Sequence, residues 1–306
     1  MAGSPAPAVS TLPRATRPRA IADACLAVAV TLALLWLSAR VPLPSADPGS
    51  APATVASAER GALGAPFVTS FVAFQAASLL LIRLWGRRPG EFGIGLARPR
   101  AWVEAACMAL VVLGPACGVL FPLVGILRLS PMGVGGVVLG AGFLACLPLA
   151  GLMLRRTTAV GEERLLARPQ AGQVAAWAGI LLAALAVGWA LHAGVPAAAR
   201  IAYALVFVGI GEELLFRGLV QTRLDEAFGR PWRWFGADVG PGLVIGAALF
   251  GVSHLLAPAN PFQWGWFLWT FAMGLVFGWL RARTGSIAAP ALVHGVLDAV
   301  AAALSR

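Results

Sequence analysis

The chain reads as all-α, a polytopic membrane bundle of about eight to nine transmembrane helices. Three observations predict this. Of its 306 residues, 59% are hydrophobic and only 12% charged, with a mean hydropathy of +0.82, whereas soluble domains carry about 25% charged residues. The apolar residues gather in runs close to the roughly 20 that a membrane-crossing helix needs. Arginine supplies every basic residue of the chain and falls in clusters between those runs. The net charge of +10 is therefore spread over short connections, and no basic domain exists to hold nucleic acid.

Residues 1–19, rich in Ser, Pro and Ala with Arg14, Arg17 and Arg19, are expected to form a disordered basic leader. The first span is 20–41; it is long for a signal peptide and many spans follow, so it is expected to stay uncleaved. Residues 42–63 are a Pro/Ser/Ala-rich loop. A core over 64–306 follows, with further spans near 64–85, 101–123, 133–154, 171–192, 197–221, 240–257, 263–281 and 286–304. Arginine clusters alternate from one connection to the next: the leader, 83–100, 155–168, 217–239, and Arg281 with Arg283. The intervening connections hold only Arg40, Arg60, Arg128 and Arg200. By the positive-inside rule the N-terminus is cytoplasmic and the 42–63 loop extracytoplasmic. The expected location is a bacterial cytoplasmic membrane, with the lipid bilayer as one partner.

Local signals agree. Trp264, Trp266 and Trp269 open span eight and Trp232 with Trp234 precede span seven, as an aromatic belt predicts. Gly274 and Gly278 give span eight a GxxxG spacing for close helix packing. Cys25, Cys107, Cys117 and Cys146 have no Cys-x-x-Cys spacing and read as small buried hydrophobes.

Ionisable groups well inside the spans are few: Asp23, Glu104, His192, Glu212, Glu213, His254, His294 and Asp298. Asp23 follows Arg19 by four residues and Glu104 follows Arg100 by four, so each is expected to pair on one helix face. His192 falls at a span end. The other five lie in the C-terminal third. In GEELLFRG, Gly211 to Gly218, an uncharged run from Ile201 puts Glu212 about 16 Å along its helix. A carboxylate at that depth defaults to a functional-site hypothesis. Glu213 and Arg217 are i,i+4 and predict an ion pair, which leaves Glu212, about 100° round the helix, to face a cavity. Gly209 and Gly211 leave room for a close neighbour.

Span seven carries Phe250 and His254 at i,i+4, and span nine carries His294 and Asp298 at the same spacing. Asp298 can orient His294 by accepting a ring N–H, or the group can share a metal with His254 and a glutamate. Counting from Gly240, His254 lies about 21 Å up its helix and His294 about 12 Å up its own; a start at Leu243 would reduce the mismatch. GEERLLAR at Gly161 to Arg168 repeats the paired glutamates in a charged loop, where they are simply solvated.

Glu212-Glu213-Leu-Leu-Phe-Arg217, Phe250-Gly-Val-Ser-His254 and His294-Gly-Val-Leu-Asp298, in that order, resemble the EExxxR, FxxxH and HxxxN/D motifs of the CPBP intramembrane proteases, the CAAX-processing and bacteriocin-immunity (Abi) family. The resemblance covers about 200–300. It implies an eight-helix core, with the first span extra or peripheral. It further implies that Glu212 activates water with help from His254, that His294 and Asp298 stabilise the oxyanion or bind metal, and that Glu213, Arg217 and Phe250 support them. A divalent metal such as zinc on His254, His294, Glu212 and Asp298 and a metal-free glutamate mechanism both remain open, because the sequence lacks HExxH.

The expected function is therefore an intramembrane endopeptidase, CAAX prenyl protease-like, cutting a membrane-associated peptide or protein. The alternatives are a non-proteolytic immunity or scaffold protein of the same family and a proton-coupled transporter, against which the absence of an internal repeat counts.

Overall fold

A computed structural model of the chain describes residues 16–38, 42–43, 53–54, 71–94, 99–158, 201, 203–256 and 264–304. Most of the leader, most of the 42–63 loop, the 171–192 span, His192 and the Gly161–Arg168 repeat lie outside them. Among the described residues the fold is nearly all-α, with eight helices.

Helix α1 runs Arg17–Ser38. Two short strands, β1 Pro42–Leu43 and β2 Ala53–Thr54, pair antiparallel. A wide-turn segment, Phe71–Ala76, leads into α2, Ala77–Leu84. Helices α3, Pro99–Ile126, and α4, Val134–Thr158, follow. Their internal prolines, Pro115, Pro122 and Pro148, are tolerated where neighbouring helices resatisfy the backbone. Helix α5 is continuous but composite, built from Tyr203–Ile210, Gly211–Glu213, Leu214–Gln221 and Thr222–Phe228. Strands β3, Trp232–Trp234, and β4, Ala237–Val239, form a hairpin. Helices α6, Pro241–Leu255, α7, Trp264–Thr284, and α8, Ala288–Leu304, complete the bundle.

Among the described residues, two helices are long and apolar enough to cross a membrane by length and composition, over Arg17–Leu37 in α1 and Trp102–Ile126 in α3. The apolar stretches Val72–Leu84, Val134–Leu149, Pro241–Leu255 and Ala288–Val300 are shorter. Lengths alone thus establish fewer crossings than the apolar runs predict. Large apolar side chains such as Leu84, Val119, Ile126 and Leu149 stay exposed on the outer surface.

Helix α7 is central: it packs against α6, α4 and α8, while α8 also lies along the first part of α5. The GxxxG spacing serves the α6 contact. A Cβ on Gly274 would sit 3.0 Å from the Cα of Ala247, and one on Gly278 would sit 3.1 Å from the Cγ of Leu243.

Four local expectations change. Asp23 pairs with Arg223 of α5, since a partner buried across the bundle outcompetes a solvated neighbour on the same helix. Helix α1 is accordingly docked on the core: Thr31 donates to Ala73 O at 3.2 Å, and Trp36 Nε1 donates to Leu256 O at 3.0 Å. Trp269 is a core residue, edge-on to Phe121 and Phe143, so only Trp264 of its cluster is strongly exposed. Cys25 is exposed and the other three cysteines are half-buried, all as free thiols. Glu104, expected to pair near a span end, is buried.

Candidate active site

Helix α5 is an unusual support. The segments on both sides of Gly211–Glu213 are π-helical, with i→i+5 hydrogen bonds that widen the turn, a form that recurs at functional sites. Helix α8 can approach this stretch because two glycines face each other. A Cβ on Gly209 would lie 2.8 Å from both Ala291 O and the Cα of Gly295. On another side, Gly211 abuts the Gln75 side chain of the Phe71–Ala76 segment.

Glu213 and Arg217 are both fully buried and form the expected ion pair, Arg217 NH1 donating to Glu213 Oε1 at 2.9 Å. Arg217 NH2 donates to Gly274 O of α7 at 3.2 Å. Its guanidinium lies 4.3 Å from the Phe250 ring centroid and 5.2 Å from that of Phe277. Desolvation makes such cation–π contacts worth about 2 kcal/mol. Glu213 does more than hold the helix. Its Oε1 also accepts from His294 Nδ1 at 2.9 Å, so it is the closer orienting group for that ring. Asp298, the orienter suggested by spacing, lies 3.4 Å from His294 Nε2 and is 44% exposed.

His254 is set differently. Its Nδ1 donates to Phe250 O at 2.8 Å; a carbonyl can only accept, so the hydrogen bond assigns the proton to Nδ1 and leaves Nε2 turned inward. Helix α6 ends one residue beyond, at Leu255. Phe250 is the hub of the packing, 4.6 Å from the His254 ring, 5.7 Å from His294 and 5.1 Å from Phe216. Phe277 stacks on His294 at 4.8 Å with an interplanar angle of 22°. Phe216 and Phe277 carry no contrast in an apolar sequence, so their roles are not legible there.

Glu212 faces both imidazoles. Its Oε2 is 4.0 Å from His254 Nε2 and 4.0 Å from His294 Nε2. The same oxygen is buried and, among the described residues, accepts no hydrogen bond. Helix α6 begins at Pro241, with the proline at its first turn, where its fixed φ and missing N–H are well accommodated. The helix thus starts where the 240–257 run predicts and not at Leu243, the start that would have reduced the mismatch in depth. His254 therefore lies about 20 Å along α6 and His294 about 9 Å along α8, yet both rings reach Glu212 at 4.0 Å.

As placed, these groups do not make a metal site. Among the described residues, no three His, Cys, Asp or Glu side chains converge for metal binding. Zinc ligands sit about 2.0–2.2 Å from the ion, which brings neighbouring donors closer than the 4.0 Å between Glu212 and either ring.

The arrangement can bind a water between Glu212 and the two rings, with a buried ion pair and an aromatic cage fixing the geometry. Residues 194–300 match a family model described as Rce1-like, type II CAAX prenyl endopeptidase Rce1-like. The match spans all three motifs and is consistent with the CPBP/CAAX protease family that they resemble, which is membrane-embedded. No curated protein and no solved structure matches the chain.

Proposed function

We propose that the chain is an intramembrane endopeptidase that hydrolyses a peptide bond in a membrane-associated protein or peptide. The observation that carries this reading is the Glu212 oxygen, buried, without a hydrogen-bond donor among the described residues, and 4.0 Å from the inward nitrogens of His254 and His294. A water there sits within hydrogen-bond reach of a carboxylate and two imidazoles.

Glu212 removes a proton from that water, and the oxygen attacks the scissile carbonyl carbon. His254 Nε2, a lone-pair acceptor because Nδ1 is tied to Phe250 O, aligns the water. His294 acts as an imidazolium, donating Nδ1–H to Glu213 and presenting Nε2–H, beside Asp298, to the oxyanion. Glu212 then returns the proton to the leaving amine, giving a carboxylate and an amine. No step passes through a metal. One preorganised oxyanion donor is typically worth about 2.7–4 kcal/mol, or 10²–10³-fold in kcat. The name of the matching family extends the reading to lipidated substrates, and the arginine pattern to a cytoplasmic N-terminus in a bacterial membrane.

The test uses the full chain in detergent with a fluorogenic membrane peptide. Glu212→Gln and His254→Ala, at wild-type yield and elution, lose cleavage by about 10²-fold or more; turnover at the wild-type rate in Glu212→Gln overturns the reading.

A further inference from the structure

The β3–β4 hairpin closes over a cavity that the site does not use. The cavity has a volume of about 230 Å³ and lies between α3, α4 and α7. Its walls are Leu113, Leu144 and Leu147 on one side and Leu275, Val276 and Trp279 of α7 on the other, with Trp234 and Phe235 of the hairpin as its lip. The wall offers almost no polar group: the Trp279 indole N–H is already donated to Trp234 O at 3.0 Å. Whatever enters must be hydrocarbon, since a polar group there would lose its hydrogen bonds.

The lip is built at a conformational cost. Phe235 and Gly236 take φ +46° and +81°, the two positive values that a tight two-residue hairpin turn demands. Glycine does this freely, whereas an aromatic residue does not. The strained turn places the Phe235 side chain on the cavity. Trp232 and Trp234 stack at 5.7 Å and stay exposed beside it, the arrangement of an aromatic belt at a membrane interface. On α7, Leu275, Trp279 and Arg283 follow one another at i, i+4 and i+8, on one face. Arg283 lies 5.9 Å from the Trp279 ring and donates to Gly236 O at 2.8 Å. Along that face the surface therefore changes from hydrocarbon, through an interfacial indole, to a cation. That is the order of a phospholipid read from chain to headgroup.

We infer that the cavity is a binding site for one anionic diacyl phospholipid, with an acyl chain between α3, α4 and α7 and the phosphate at Arg283. The site rests on the chain being membrane-embedded and is independent of the protease reading. It occupies the face of α7 opposite Gly274 and Phe277, which serve the active site.

Native mass spectrometry of the full chain in mild detergent, with phosphatidylglycerol as the probe, tests this. One phosphatidylglycerol is retained per chain in preference to phosphatidylcholine. Leu275→Trp and Ala109→Phe, which fill the cavity from opposite walls, each abolish retention while elution stays wild-type. Arg283→Gln removes the preference for the anionic headgroup. Retention unchanged in both filling variants overturns the site, as does retention of detergent alone. Displacement of the lipid by a lipidated substrate peptide also overturns it, by making the cavity a substrate subsite. Cleavage by the lipid-free variants, with Glu212→Gln as the inactive reference, keeps this outcome separate from the fate of the protease reading.

Discussion

His294 and Arg217 hydrogen-bond to the same oxygen of Glu213, each at 2.9 Å. One buried carboxylate thus fixes a ring of the site and neutralises the cation beneath it. Removing it leaves Arg217 as an uncompensated buried charge, and breaking such a pair costs about 3–5 kcal/mol. Glu213→Ala is expected to be destabilised by that order and inactive. Glu213→Gln keeps an acceptor for His294, so it loses less stability while still losing turnover. Thermal unfolding in detergent beside peptide cleavage distinguishes the two.

The stacking of Phe277 on His294 predicts a selective defect. Phe277→Leu keeps an apolar side chain but removes the ring that sets the imidazole plane and lies near Arg217. A loss of about 0.5–1.5 kcal/mol in ring contacts is expected, with kcat falling and KM little changed. A steady-state comparison with Phe277→Tyr, which retains the ring and should recover turnover, checks it.

Gly209 and Gly295 let α5 and α8 touch, so even one methyl group at Gly209 meets backbone at 2.8 Å. Gly209→Ala is expected to cost about 1–3 kcal/mol by overpacking and to move His294 away from Glu212. Cleavage should fall further than the stability loss explains, as measured by activity at a temperature where both proteins are folded.

The pairing of Asp23 with Arg223 predicts that α1 is integral. Arg223 keeps Glu226 as a second partner, so Asp23→Asn should cost less than a full buried-pair break, about 1–3 kcal/mol. A double-mutant cycle with Arg223→Gln is expected to be non-additive by about 0.5–3 kcal/mol. Simple additivity would mean that the two groups do not interact.

Much of the site was legible because charge in an apolar run stands out. Glu212, Glu213, His254 and His294 were readable as residues, and the Glu213–Arg217 pair as a spacing. What failed was whatever depends on the third dimension. The i,i+4 rule assigned Asp23 to Arg19 because a partner 200 residues away leaves no trace in local spacing. The same rule paired His294 with Asp298, which does lie 3.4 Å from Nε2, but it could not show that Glu213 of another helix holds Nδ1. Phe216 and Phe277 were invisible among similar residues. The π-helical turns of α5 have no residue signature, and the hairpin was seen only as two tryptophans, although Phe235-Gly236 between alternating residues carried a weak turn signal. Eight of the nine apolar runs correspond to described helices, the ninth lying outside the described residues, but run length overstated how many cross on length alone.

Helix α1 also measures depth. It is anchored at Asp23 to the far end of α5 and at Trp36 to Leu256, two residues beyond His254. Those anchors are 13 residues apart, about 20 Å of helix, so the proposed chemistry lies well below the arginine-rich rim. An extended chain advances at most about 3.3–3.6 Å per residue. A substrate threading in from that rim must therefore unwind some five or six residues before a bond reaches Glu212. The reach of the unstructured segment, as well as the residues flanking the bond, then sets which proteins can be cut.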